Sequence, residues 1–331
     1  MMNDGIAAAR LADLLAVSAA LQAGAAELQA GVADAAFGAE ALIETRLPWL
    51  VADIRADAEE GRFARWSLST VVDEFTGEAV LDRATFEALH RIAGLGGVDD
   101  GAADADGDAA RRDVVWPVGN AGLLHVYGYL LSTAATPWGA KRDRWVGGDV
   151  ARAFGEDPAF LTPWHWAGVV HPGAGPTMLA RVERLVLAAL AGEVAGSAVR
   201  FVRDEPVVSG RDSDRVDDSV DDAGERAARD VMRTVVVSRP GAAHAALVYG
   251  RVSSVEAASD AAAAGAADVT AVSSGSGRAS VRVSIRPITV FPIAVPDDAA
   301  IEALFAAESR LRYNAAFPDL APMTQLAVDR P

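Results

Sequence analysis

Apolar residues recur at roughly helical spacing along several stretches of the chain. An Ala-rich stretch over residues 5–35 predicts one or two amphipathic helices, and the leucines that mark its apolar face are Leu11, Leu14, Leu15, Leu21 and Leu28. Pro48 suits the first turn of a further helix, and Asp82 suits the N-cap of the next one. Residues 177–191 predict a strong amphipathic helix, and Asp297 or Asp298 is expected to cap a last helix.

Other stretches are rich in β-branched and aromatic residues, which is typical of strands. The C-terminal third predicts an antiparallel meander, with strands over residues 232–238, 245–255 and 278–295. Residues 65–73 and 123–133 are also strand-like, and Pro287 predicts an edge or a bulge in the last strand. Because helices and strands do not alternate regularly, we expect an α+β protein, with helices packed on one side of a mostly antiparallel sheet.

Two strongly acidic stretches divide the chain, and we expect them to be flexible loops on one compact unit. The predicted segments are an N-terminal helical region with one strand (1–98), an acidic loop (99–113), an aromatic-rich region that holds the candidate site (114–202), an acidic linker or insertion (203–230), and the meander with a C-terminal helix (231–331).

The composition of the chain limits the partners and the cellular compartment that we expect. The chain has 331 residues, a formal net charge of −16 and no cysteine. A nucleic acid or an anionic membrane surface requires a cationic protein face, so neither is expected as the main partner. Without cysteine, disulfides and thiolate chemistry are excluded. Since no stretch predicts a signal peptide or a transmembrane helix, we expect a cytoplasmic protein, which could form homo-oligomers through its N-terminal helices.

A single lysine, Lys141, stands among 29 arginines. It lies in the most aromatic part of the chain, because five of the seven tryptophans fall between residues 116 and 166. Arginine cannot replace an amine that forms a Schiff base, so Lys141 is a candidate amine nucleophile. The alternatives are that Lys141 only contacts an anion, or that one lysine is present by chance.

The residues around that lysine suit a small anionic substrate. Arg142 and Arg144 are expected to bind a carboxylate or phosphate, since a guanidinium group forks onto two oxygen atoms. The rings of Trp138 and Trp145 would exclude water, and we also assign Asn120 to the substrate contacts. The alternative interpretation is a solvated turn whose tryptophans belong to the core.

The strand predicted at the centre of this region supplies candidate acid–base groups. His125, Tyr127 and Tyr129 alternate, so on a strand their side chains would share one face. Together with Ser132 or Thr133 they could form a general acid–base set. A buried, hydrogen-bonded histidine with a structural role is the alternative.

Three histidines offer metal ligands. His125, His165 and His171 could bind a metal ion together with a carboxylate such as Asp73 or Glu74, although their spacing matches no helical metal motif. Motifs that cradle phosphate in P-loop and Rossmann proteins are missing, so the cofactor is left unknown. A Ser-His-Asp hydrolase stays open, because its members need not be close in sequence.

Several stretches carry a resemblance to a known group of proteins. They are residues 65–74 (RWSLSTVVDE), 115–123 (VWPVGNAGL), 127–133 (YGYLLST) and 142–145 (RDRW). These stretches resemble a group of actinobacterial proteins that carry an amino acid deaminase label. The resemblance covers about the first half of the chain and implies release of ammonia from an amino acid. It brings with it no active-site residues.

The leading hypothesis from the sequence is a cytoplasmic enzyme that acts on a small anionic or zwitterionic substrate, with amino acid deamination as its most specific form. Lys141, His125, Tyr127 and Tyr129 would be catalytic. The first alternative is a non-catalytic ligand-binding or assembly protein, which would explain the lack of a recognised catalytic motif. A further alternative is a metal-dependent or serine-dependent hydrolase.

Overall fold

The computed structural model describes most of the chain. The described residues are 2–27, 32–72, 79–95, 118–136, 139–165, 175–194, 198–207, 229–240, 244–256, 268–269, 281–294 and 298–307. The acidic loop predicted at 99–113 lies outside these ranges, and so do residues 208–228 of the predicted linker.

Helices occur throughout the described chain. They are α1 (Met2–Glu27), α2 (Val32–Arg46), α3 (Pro48–Glu59), α4 (Arg83–Ile92), α5 (Tyr129–Leu131), α6 (Asp143–Val146), α7 (Asp149–Ala153), α8 (Met178–Ala191) and α9 (Asp298–Ala307). A 3-10 helix covers Arg62–Arg65, and a π-helix covers Leu123–Gly128 and leads directly into α5. In the part of the chain that the structure describes, no helix combines the length and the apolar character needed to cross a bilayer.

Several helix ends follow the local sequence, and those at Asp82 and Pro48 were predicted from it. The Asp82 carboxylate accepts a hydrogen bond from the first turn of α4 at 2.9 Å. Thr177 caps α8 through its hydroxyl, and Gly192 ends that helix with a φ of 80°. Pro48 occupies the first turn of α3. These helix predictions are confirmed.

The strands form one five-stranded sheet and two small pairs, all antiparallel. The strands are β1 (Leu68–Thr70), β2 (Val118–Asn120), β3 (Ala135–Thr136), β4 (Gly139–Ala140), β5 (Ala198–Pro206), β6 (Arg229–Ser238), β7 (His244–Glu256), β8 (Asp268–Val269) and β9 (Val281–Ala294). The large sheet has the order β5-β6-β7-β9-β8, while β1 pairs with β2 and β3 with β4. The α+β class is therefore confirmed, as is the predicted meander of β6, β7 and β9.

Strand β5 was not predicted from the sequence. Its C-terminal part falls in the region expected to be an acidic linker, because charged residues there suggested a solvated segment. In the sheet, Asp204 stands directly opposite Arg233. The guanidinium group of Arg233 donates two hydrogen bonds of 2.7 Å to the Asp204 carboxylate. Pairing across the strands thus allows charged residues to occupy this edge of the sheet.

Both faces of the large sheet are covered. Val235 and Val237 of β6 belong to the large core shared with the helices, and the intervening Val236 belongs to a second core on the opposite face. That second core includes Ile301 and Phe305 of α9. The main helical layer therefore lies on one side of the sheet, as expected, whereas α9 covers the other side.

The stretch predicted as a strand at 123–133 is helical, so that prediction is wrong. Its residues favour strands intrinsically, but every residue from 121 to 132 is buried. A segment enclosed on all sides has no polar face, and its sequence therefore lacks the periodicity that distinguishes a helix from a strand. Packing decides its conformation, and the change of conformation also changes which side chains share a face.

Strand β9 contains the bulge predicted at Pro287. Tyr249 of β7 pairs with Thr289, and the next residue, Gly250, pairs with Pro287, so Ile288 is an extra residue on β9. A Cβ atom at Gly250 would lie 2.6 Å from the end of the Leu190 side chain and 3.0 Å from the carbonyl oxygen of Arg286, so a larger residue would require Leu190 to shift. The bulge lies beside the π-helix, and the carbonyl group of Ile288 points to it.

Candidate functional site

His125 of the π-helix is held by two hydrogen bonds. Its Nδ1 lies 2.6 Å from the carbonyl oxygen of Ile288, and its Nε2 lies 3.0 Å from the hydroxyl oxygen of Ser69 on β1. A carbonyl oxygen only accepts, so Nδ1 carries the proton and donates it. In the neutral ring Nε2 is then an acceptor, and Ser69 donates to it.

The electrostatic surroundings keep His125 neutral. Burial lowers the pKa of its imidazole to about 3, and the positive charges of Arg144 and Lys141 act in the same direction. The hydrogen bond to Ile288 opposes this shift without reversing it. At physiological pH the ring is therefore neutral, and its Nε2 atom accepts the hydrogen bond from Ser69.

One aromatic ring brings the cationic residues of the site together. The imidazole of His125 stacks on the ring of Tyr129 at 4.8 Å, as expected for residues four positions apart on a helix. The Nζ atom of Lys141 lies 5.2 Å from the centre of that ring, and the guanidinium carbon of Arg144 lies 4.6 Å from it. These four residues and Ser69 are called the His125 cluster below.

The cations of the His125 cluster are buried. Lys141 is 5% exposed and Arg144 is 3% exposed. Arg144 donates from Nη1 to the carbonyl oxygen of Val290 at 3.2 Å and to the hydroxyl of Thr289 at 3.3 Å. Strand β9 therefore orients both His125 and Arg144, through three consecutive residues that start at the bulge.

A second polar cluster starts two residues further along the π-helix. The Tyr127 hydroxyl donates a hydrogen bond to the carboxylate of Asp57 on α3, and the Thr177 hydroxyl donates to the same carboxylate. Arg62 lies 3.0 Å from Asp57 and also contacts Glu183 of α8 at 3.3 Å. These five residues are called the Asp57 cluster. Their side chains join α3, the 3-10 helix, the π-helix and α8.

Burial changes the acid–base behaviour of the Asp57 cluster. It raises the pKa of Asp57 to about 7, and the hydrogen bonds from Thr177 and Tyr127 only partly oppose this effect. Burial also raises the pKa of Glu183 and of Tyr127. Each of the five side chains nevertheless contacts another member of the cluster, which is the usual arrangement of a buried structural network.

The structure brings together three of the four predicted catalytic residues. Lys141, His125 and Tyr129 meet in the His125 cluster, and the predicted substrate ligand Arg144 joins them. Tyr127 belongs to the Asp57 cluster instead, because residues two apart on a helix do not share a face.

The other predicted substrate ligands lie in different surroundings. Asn120 donates to the carbonyl of Phe63 at 2.7 Å and accepts from a backbone amide at the start of the π-helix at 3.1 Å. The buried indole of Trp145 donates to the backbone carbonyl of His125 at 2.9 Å. Arg142 lies 3.6 Å from its neighbour Asp143. Trp138 lies outside the described residues. Asn120 and Trp145 thus hold the π-helix in place.

The metal-site hypothesis gains no support from the described residues. Among them, no group of three or more His, Asp or Glu side chains is placed to hold a metal ion. The ring of His165 packs edge-on against Phe160 at 5.4 Å, and both ring nitrogens of His125 have hydrogen-bond partners. His171 lies outside the described residues.

Sequence reasoning missed Ser69 and the acidic partners of Tyr127. Ser69 lies 56 residues before His125, and Asp57 lies 70 residues before Tyr127. No local pattern links such residues. Ser69 lies in one of the stretches, residues 65–74, that carry the resemblance described above.

Comparisons with known proteins give no family for this chain. No protein-family model matches it, no curated protein is significantly similar to it, and no solved structure matches it. The resemblance to deaminase-labelled proteins therefore stays a prediction, and the function is proposed from the geometry of the site.

Proposed function

We propose that this protein is an enzyme that acts on a small anionic or zwitterionic substrate at the His125 cluster. The observation that carries this proposal is the burial of two cations, Lys141 and Arg144, around the ring of Tyr129 beside a neutral histidine. Buried cations attract an anion more strongly than exposed ones, because water screens them less.

The charges around His125 support a role for the substrate in catalysis. The two charges that lower its pKa, Arg144 and Lys141, are both positive. An anion bound between them would offset that effect and raise the pKa of the imidazole. A bound substrate would thus make His125 a stronger base than it is in the free protein.

The specific reaction that we propose is release of ammonia from an amino acid. A zwitterion offers its carboxylate to the two cations, and the resemblance to deaminase-labelled proteins points in the same direction. The proposed ligands for the carboxylate are Lys141 and Arg144. Lys141 also remains the candidate amine nucleophile, since an amine near an aromatic wall suits that chemistry.

Calorimetric titration tests the proposal directly. We expect succinate, aspartate or phosphate to bind the purified protein, and we expect Lys141→Met to weaken that binding at least about tenfold, which is roughly 1.4 kcal/mol. Arg152→Met is the matched control, because it removes one cation from a half-exposed surface ion pair with Asp149. Equal affinity in the wild type and in Lys141→Met would contradict the proposal.

A second candidate function is assembly through the N-terminal helices. An apolar groove runs between α1, α2 and α4, and it is lined in part by Leu21, Leu42 and Ala39. Phe37 on α2 is 62% exposed, which is unusual for a large aromatic side chain. Sedimentation equilibrium of the wild type and of Phe37→Ser tests this function, since an assembly face would lose affinity in the variant. A monomeric wild type at all concentrations would contradict it.

A further inference from the structure

We propose that Ser69 is a nucleophile activated by His125, and that the substrate is a small carboxylate-bearing amide or ester whose acyl group is transferred to the Ser69 hydroxyl. This inference rests on the proposed function and names the reaction class at the same site. It replaces amine chemistry at Lys141 with acyl transfer, and Lys141 becomes a substrate contact.

The first support is the geometry of nucleophile and base. The Ser69 hydroxyl oxygen lies 3.0 Å from Nε2 of His125, within the range of a catalytic hydrogen bond. The same hydroxyl lies 3.5 Å from the carbonyl oxygen of Thr70, which is a longer and weaker contact. Ser69 is half-buried and its neighbour Leu68 is exposed, so strand β1 lies at the surface of the protein.

The second support is the fixed tautomer of the base. In serine hydrolases a third group accepts the other ring N–H and holds the imidazole with its free lone pair towards the serine. Here the carbonyl oxygen of Ile288 takes that position, at 2.6 Å from Nδ1. A carbonyl dipole orients the ring without a full negative charge.

The third support is that two backbone irregularities meet at this hydrogen bond. His125 lies in a π-helix, and Ile288 is the extra residue of a bulge. Each irregularity gives up regular backbone hydrogen bonds, and both kinds occur frequently at functional sites. Their convergence on one imidazole is hard to explain by packing alone.

The proposed reaction has two steps, acylation of Ser69 and hydrolysis of the acyl ester. Ser69 Oγ forms a bond to the substrate carbonyl carbon while its proton passes to Nε2 of His125. The bond from that carbon to the leaving nitrogen or oxygen then breaks, and the leaving group takes the proton from the imidazolium. Water next attacks the acyl carbon while His125 takes a proton from it. The bond from that carbon to Ser69 Oγ then breaks, and His125 passes the proton to Oγ, so both residues return to their starting states. A primary amide would release ammonia, and the acyl product is a carboxylic acid.

The positive charges define the substrate class. Lys141 and Arg144 would bind a carboxylate at the end of the acyl chain that is remote from the scissile bond. Their charge also suits the negative oxygen that develops at the carbonyl during attack. Binding energy from the remote carboxylate would then favour anionic substrates over neutral ones.

Covalent labelling of the full-length protein tests the proposal. The wild type is treated with a fluorophosphonate, and the adduct is located by intact mass and peptide mapping. We expect one adduct, on Ser69, and at least about a hundredfold slower labelling in His125→Gln. Ser69→Ala should not be labelled. Ser67→Ala is the matched control, because its hydroxyl contacts the carbonyl of Arg286 instead of a histidine.

The charge requirement is tested in the same assay. With a fluorophosphonate whose chain ends in a carboxylate, succinate should compete for the two cations and slow labelling of the wild type, and it should lose this effect in Lys141→Met. An adduct on another serine, labelling that succinate does not affect, or an unlabelled wild type would each overturn the proposal.

Failure of this inference can be told apart from failure of the proposed function. If calorimetry shows anion binding that depends on Lys141 while Ser69 stays unlabelled, the nucleophile assignment is wrong and the anion site stands. If Ser69 is labelled but anions do not bind, the assignment of an anionic acyl substrate is wrong and the proposed function fails with it.

Discussion

Two polar clusters are attached to the same six-residue π-helix, and they differ in the groups that they bury. The Asp57 cluster sets a buried carboxylate between Arg62, Tyr127 and Thr177, and all three contact it. The His125 cluster sets two buried cations beside a neutral imidazole.

This difference separates a structural role from a functional one. A buried network whose side chains bind one another mainly fixes the positions of the helices that contribute to it. Two buried cations beside a neutral imidazole suit an anionic ligand, and we expect substitutions of these residues to affect binding more than stability. Substitutions in the Asp57 cluster should therefore mainly lower stability, whereas substitutions in the His125 cluster should mainly weaken binding.

The largest effect is expected from Asp57→Ala. This change leaves the Tyr127 and Thr177 hydroxyls and the Arg62 guanidinium without their shared acceptor, which should lower the free energy of unfolding by roughly 3–5 kcal/mol. Urea unfolding followed by tryptophan fluorescence measures it. Asp204→Ala, which breaks a partly exposed ion pair with Arg233, should change stability by less than about 1 kcal/mol. Equal losses in both variants would contradict the structural role of the Asp57 cluster.

The next largest effect is expected in the pH dependence of stability. The pKa of Asp57 is about 7 in the folded protein against 3.8 in the unfolded chain. Its contribution to stability is therefore complete below about pH 4 and is lost as the pH rises towards and through 7. Asp57→Asn should remove this part of the pH dependence, which urea unfolding of both proteins between pH 4 and 8 would show. Parallel curves for the two proteins would show that Asp57 does not retain its proton in the fold.

A matched pair of tyrosine substitutions is expected to have a smaller effect on stability. Tyr127→Phe removes a hydroxyl that donates to Asp57 and accepts from the Leu179 amide, and should lower stability by about 1–2 kcal/mol. Tyr129→Phe keeps the ring on which the cations lie, so we expect less than about 0.5 kcal/mol. The opposite order in urea unfolding would contradict the division between the clusters.

The smallest effect is expected at Thr289. Thr289→Val removes one acceptor of Arg144, and the carbonyl of Val290 continues to hold the guanidinium group. Stability should fall by less than about 1 kcal/mol, and anion affinity should change by less than about threefold. A larger loss of affinity in calorimetry would show that the hydroxyl of Thr289 is needed to orient Arg144.

The sequence predicts features that depend on neighbouring residues. The cap at Asp82, the helix over residues 177–191 and the meander of β6, β7 and β9 are local or periodic signals, and the structure confirms them. The π-helix escaped prediction because burial on all sides removes periodicity. The pairing of Ser69 with His125 depends on packing between segments far apart in the chain, and one sequence cannot show it. The predicted meeting of His125, Tyr129 and Lys141 occurs, but His125 and Tyr129 lie on a helix instead of a strand.

The most direct test of the central claim is a long-range proton–nitrogen NMR spectrum of the histidine rings, with the His125 signals assigned by His125→Gln. We expect a neutral ring with its proton on Nδ1 from pH 5 to 8, and a shift of its Nε2 signal when succinate, aspartate or phosphate is added. Lys141→Met should abolish that shift. A His125 ring that is protonated near pH 6 in the free protein, or that responds to none of these anions, would contradict the assignment of the His125 cluster as the functional site.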